Sequence, residues 1–152
     1  MGIFVRLRCA VGRVLGRALR FRFFHVPRVH DHHNGGGILT AHPTVWFGVG
    51  VDIDTYASVT IRENAVISDG VLILRHDHGG GDDRAYHDGP IQPTQPLLID
   101  KGAFIGSRAI ILPPVHIVGE NAIVGAGAVV VDDVPAGAVV VGNPSRIVKQ
   151  RK

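Results

Sequence analysis

From Pro43 to Pro135 the chain falls into twelve six-residue blocks, and Ile or Val opens ten of them. The first six openers are Pro43, Val49, Thr55, Ile61, Ile67 and Ile73. The second six are Ile99, Ile105, Ile111, Val118, Val124 and Val130. The fifth place is small or apolar throughout (Phe47, Ile53, Val59, Ala65, Val71, then Ala103, Ala109, Val115, Ala122, Ala128, Val134), with Asp77 as the exception. A period this short means a stacked array in which no unit buries its own apolar side chains. It also directs the search for chemistry to the places where the period fails.

Strands have a side-chain period of two, so the first, third and fifth residues of a block share one side. A block of one short strand and one corner lets three blocks close a triangular coil. Openers and fifth-place residues then point inward and stack on their equivalents above and below. Gly50, Gly106, Gly119 and Gly125 hold the second place, where a corner needs permissive dihedrals. One extra residue near Ile117 shifts the register and reads as a corner bulge.

The 152 residues allow one ordinary domain. We divide them into a basic N-terminal helix and linker over 1–37, a repeat domain over 38–144 and a basic helix or tail over 145–152. A loop over 79–96, rich in Gly, Asp and Pro, leaves the stack between the two runs of blocks.

Residues 1–30 carry seven arginines and no acid. Over 3–24, apolar residues recur at helical steps with Arg6, Arg13, Arg17 and Arg20 on another face. Such a helix either packs on the repeat domain or a neighbouring subunit, or lies on an anionic membrane through residues 1–24. His30, His32 and His33 sit in a turn-rich junction and read as solvated linker rather than metal ligands. The single Cys9 excludes an internal disulfide framework, and no uncharged apolar run is long enough to span a bilayer. With no signal peptide evident, a cytoplasmic location is expected, with attachment to the inner face of a membrane if the helix binds lipid. No base-reading motif or aromatic stacking platform accompanies the arginines, so nucleic acid is not an expected partner.

The run Ile105-Gly106-Ser107-Arg108-Ala109-Ile110-Ile111-Leu112-Pro113-Pro114-Val115 is followed by Val124-Gly125-Ala126-Gly127-Ala128-Val129-Val130 and by Gly142-Asn143-Pro144-Ser145-Arg146-Ile147-Val148. Together they resemble the hexapeptide-repeat acyltransferases, closest to the maltose/galactoside and polysaccharide O-acetyltransferases. The resemblance covers roughly residues 43–149 and is most specific in its C-terminal half. It implies an all-β fold, a left-handed parallel β-helix forming a triangular prism. It also implies a homotrimer, with acetyl-CoA as acyl donor bound between neighbouring prisms and no metal.

The first run ends in Leu74-Arg75-His76-Asp77-His78. A His at the mouth of a loop suits general-base chemistry because it titrates near neutrality. In the family a His just before this loop removes the acceptor's hydroxyl proton. His76 matches that place best, with His78 the neighbouring candidate. Asp77 or Asp83 is placed to orient the imidazole, or serves only loop solubility. Asp52 and Asp54, one coil earlier, and His78 are candidates for meeting acceptor hydroxyls, although both carboxylates also fit exposed corners. The resemblance points to Ser107, Ala126 and Gly127 for the pantetheine arm, and to Arg146 with Lys149 near the nucleotide phosphates. Two departures stand out: Val131-Asp132 replaces the Thr-Lys often found there, and Phe104 replaces a Trp.

The leading expectation is therefore acetyl transfer from acetyl-CoA to a sugar or glycan hydroxyl. N-acetylation of an amino sugar, free or nucleotide-linked, needs the same base and donor. A γ-type carbonic anhydrase would need three zinc histidines spread over the coils, and His76, His78 and His116 match that poorly. A non-catalytic prism would not need His76 or the Gly142-Asn143-Pro144 turn.

Overall fold

The computed structural model describes residues 25–31, 34–78, 91–92 and 94–151. The expected helix over 3–24 and the tip of the loop lie outside the described residues. Three parallel sheets form the faces of a coil. The first sheet stacks β1 (Arg28–His30), β4 (Asp52–Asp54), β7 (Leu72–Ile73), β12 (Ile110–Ile111) and β15 (Val129–Val130). The second stacks β2 (Leu39–Ala41), β5 (Val59–Ile61), β10 (Leu97–Ile99) and β13 (Ile117–Val118), extended by a bridge from Val118 to Val134. The third stacks β3 (Trp46–Phe47), β6 (Val66–Ile67), β11 (Phe104–Ile105), β14 (Ile123–Val124) and β16 (Ala138–Val141). The chain visits the sheets in rotation, broken once by the hairpin of β8 (Asp77–His78) and β9 (Ile91–Gln92).

Period-two alternation explains the core. Ala65 and Ile67, Val71 and Ile73, Ala103 and Ile105, Ala109 and Ile111, Ala122 and Val124, and Ala128 and Val130 are all fully buried. In most of these pairs a small Ala stands beside a branched residue, which suits a narrow interior. Main-chain bonds tie coil to coil: Val66 N donates to Ala103 O and Phe104 N to Ala122 O, both at 2.9 Å. Among the described residues no helix is long and apolar enough to cross a membrane.

Three expectations need correction. In the first coil the inward pairs are Val45 with Phe47 and Val51 with Ile53, while Pro43 and Val49 are exposed at turns. The next pair, Val59 and Ile61, begins eight residues after Val51 rather than six, so two extra residues at the corner after Ile53 displaced the block frame. Second, Gly106, Gly119 and Gly125 do not have positive φ. A Cβ on Gly106 would lie 2.6 Å from Ala126 N, so this glycine is required by the close approach of the next coil. Third, residues 145–152 hold no helix among those described. Ile147 and Val148 suit a strand, and β17 (Arg146–Gln150) runs antiparallel along β16.

Candidate active site

The two extra residues after Ile53 create the corner on which the site is built. They carry the end of β4 past the regular turn, and Asp54 closes it as an Asx turn, its Oδ1 accepting from Tyr56 N at 2.9 Å. Its Oδ2 accepts from Arg75 N at 3.0 Å and lies 2.5 Å from His76 Nδ1. Arg75 and His76 follow β7, which stacks directly on β4, so one coil delivers the carboxylate and the next the imidazole.

Asp54 has no exposed side-chain surface, and His76 keeps 16%. Burial alone would raise the Asp54 pKa. The bonds from His76, Tyr56 and Arg75 outweigh it and hold the carboxyl below its ordinary 3.8. An ionised carboxylate only accepts, so Nδ1 of His76 is the donor, and in the neutral ring Nε2 is the basic nitrogen. An imidazole oriented by a buried carboxylate is an arrangement that can abstract a proton from a hydroxyl.

The aromatic surroundings are close. The His78 ring stands edge-on to His76 with centroids 5.3 Å apart. The Tyr56 ring is 6.3 Å away at 60°. A cavity of about 380 Å³ opens beside Tyr56, lined by Gly35–Gly37, Ala57, Ser58, Thr94 and Pro96.

The structure sorts the sequence candidates. The carboxylate that reaches His76 is Asp54; buried as it is, it has no surface for an acceptor hydroxyl. Asp77 lies in β8 and is exposed, and Asp83 is outside the described residues. Asp52 points outward on the first sheet, 3.2 Å from His30 Nε2 and 3.5 Å from Arg28 Nη1. His30 is thus part of the sheet rather than of a linker. Among the described residues no group of His, Cys, Asp or Glu is arranged to hold a metal.

Ser107, Ala126 and Gly127 come together on the corner that leads into the first sheet, with Gly127 N donating to Ser107 O at 2.9 Å. The turn over Gly142–Ser145 closes the same corner, since Val129 N donates to Gly142 O and Ser145 N to Val129 O. Arg146 and Lys149 follow on β17, both exposed. The surface offers main-chain groups and two cations along one edge, a chemistry that fits an extended phosphorylated thioester carrier.

Sequence reasoning missed one residue. Arg75 is fully buried, and its guanidinium reaches the carbonyls of Val115 (2.8 Å), Leu112 (3.4 Å), Leu74 (3.5 Å) and Gln95. The signal was its place beside a candidate base, immediately before the period fails.

Residues 96–131 match a family model described as the hexapeptide repeat of succinyl-transferase. Over 64 residues the chain is 50% identical to a 2,3,4,5-tetrahydropyridine-2,6-dicarboxylate N-acetyltransferase of Staphylococcus aureus (strain JH9), a match covering 41% of this chain and 26% of that protein. The matched stretch therefore spans about a quarter of that relative's length. A hexapeptide-repeat acetyltransferase from Vibrio cholerae O1 biovar eltor, solved with acetyl coenzyme A, superimposes with a TM-score of 0.64 at 22% identity, covering 97% of this chain and 84% of that one. A maltose O-acetyltransferase from Clostridium difficile 630 gives 0.59 at 19% identity, covering 98% and 89%. At these identities the two likenesses are of fold.

Proposed function

We propose that the chain, whose residues 96–131 match the hexapeptide-repeat model, transfers an acetyl group from acetyl-CoA to a hydroxyl of a sugar or glycan, with His76 as general base. The observation that carries this reading is the bond between His76 Nδ1 and the buried Asp54 at the root of the loop. His76 Nε2 takes the hydroxyl proton as the acceptor oxygen attacks the thioester carbonyl. The sulfur leaves, and the proton passes from the imidazole to the departing thiolate. Asp54 stabilises the imidazolium formed between those two steps.

Ser107, Ala126 and Gly127 are the proposed contacts of the pantetheine arm, and Arg146 and Lys149 of the nucleotide phosphates. That edge begins the first sheet, whereas His76 follows its far end at the corner with the second sheet. One chain alone thus separates the proposed donor edge from the base by the width of a face. A homotrimer, in which one prism's donor edge meets the next prism's base, resolves the separation. An outward apolar ladder supports it: Trp46, Val66, Phe104, Ile123 and Val139 stand in register on the third sheet, with Trp46 and Phe104 exposed.

The identity to an N-acetyltransferase favours a second reading, acetylation of an amine by the same base and donor. Thiol release from acetyl-CoA, measured against a panel of sugars and amino sugars, separates the two. Turnover with hydroxyl-only acceptors, abolished in His76→Ala, supports the first reading. Turnover confined to amines supports the second, and undiminished turnover in the variant overturns His76 as base.

A further inference from the structure

The corner between the first and second sheets is polar from coil to coil. Asp54 ends β4, Arg75 follows β7, the carbonyls of Leu112 and Val115 follow β12, and Asp133 follows β15. Arg75 lies at the centre of this column with no exposed surface. Its main-chain N–H donates to Asp54 Oδ2, the oxygen that also faces His76 Nδ1. Its Nη1 donates to Val115 O and Leu112 O, and its Nη2 to Gln95 O. Thr94 Oγ1 donates to the Arg75 carbonyl. One side chain and its peptide thus hold both roots of the protruding loop, at 75–76 and at 94–95, against the coil beneath.

The extra residue before Ile117 belongs to the same device. There the inward pair is Val115 and Val118, three apart instead of two. At this widened corner the Val115 carbonyl accepts from Arg75 Nη1 at 2.8 Å. Asp133 Oδ1 takes up the displaced amides of His116 (2.6 Å) and Ile117 (3.0 Å). A planar fork can bond several carbonyls in fixed directions, which an ammonium cannot.

We infer that Arg75 is a positioning residue for the His76 base: it fixes the imidazole and the returning strand of the loop relative to one another. This rests on His76 being the base. A base displaced by even 1 Å loses turnover more than donor affinity.

The test compares Arg75→Ala, Arg75→Lys and His76→Ala in acetyl transfer. We expect kcat of Arg75→Ala to fall about tenfold or more while KM for acetyl-CoA stays within about twofold. Millimolar guanidinium should restore that kcat saturably, and ammonium should not. Arg75→Lys, which keeps the charge without the fork, should stay low. Wild-type kcat in the two Arg75 variants beside an inactive His76→Ala overturns this inference alone. So does a folded Arg75→Ala that guanidinium does not rescue, or an Arg75→Lys that fails to fold, which would assign Arg75 to the stack. Turnover retained in His76→Ala brings down the base and the inference together.

Discussion

Asp54 and His76 are 22 residues apart in sequence and meet at 2.5 Å because they close the same corner of successive coils. Both oxygens of Asp54 face donors, Oδ1 the Tyr56 amide and Oδ2 the Arg75 amide and His76, so an amide side chain with a single acceptor atom cannot satisfy them all. Asp54→Asn keeps the shape and removes the charge. Its kcat should fall by about 10²-fold, at the low end of what a positioned proton acceptor contributes, with donor KM little changed. Steady-state kinetics in acetyl-CoA checks this; an unchanged kcat would remove Asp54 from the mechanism.

The same carboxyl ties stability to acidity. Its pKa is held below 3.8 in the fold, so its stabilising contribution is complete above that value. As pH falls below 3.8 and through the folded value, the contribution is lost. The melting temperature of the wild type should therefore exceed that of Asp54→Asn at neutral pH, and the gap should narrow under strong acid. A gap independent of pH would contradict the assignment.

Two glycines predict opposite phenotypes. A Cβ on Gly106 would sit 2.6 Å from a backbone nitrogen of the next coil, so Gly106→Ala should destabilise by about 1–3 kcal/mol. Gly127 has φ +68° with nothing within 4 Å of a Cβ. Gly127→Ala meets only left-handed strain of about 1–2 kcal/mol. Its methyl enters the space proposed for the pantetheine arm, so KM for acetyl-CoA should rise. Thermal melts and kinetics on both variants separate packing from binding.

Phe104 is 42% exposed in the middle of the apolar ladder. Phe104→Asp should shift a trimer toward monomer, read by light scattering on a sizing column, and activity should fall with it. A monomeric wild type of full activity would end the trimer proposal.

The core was legible because alternation alone decides which side chain faces in: Ala109 and Ile111 could be read inward without any structure. The first coil was not, because Thr55 and Tyr56 look like any other block and nothing local marks them as an insertion. Phe47 and Ile53 fit both frames, which hid the shift. His76 stood out by adjoining the break. Asp54 and Arg75 did not, because a buried charge is defined by partners on other coils, and separations running from 21 to 40 residues carry no local pattern. At the C-terminus, charge masked Ile147 and Val148, whose branched side chains fit the strand that formed.

The reversal at β17 has a consequence for how such a stack ends. Parallel coils repeat at the strand spacing of a fibril, and the last rung of an unfinished stack is a template for the next molecule. β17 occupies the edge of β16 in the opposite direction and presents Arg146 and Lys149. An incoming coil would meet a rung of the wrong polarity and a row of like charges. The strand works as a stop against end-to-end growth along the third sheet.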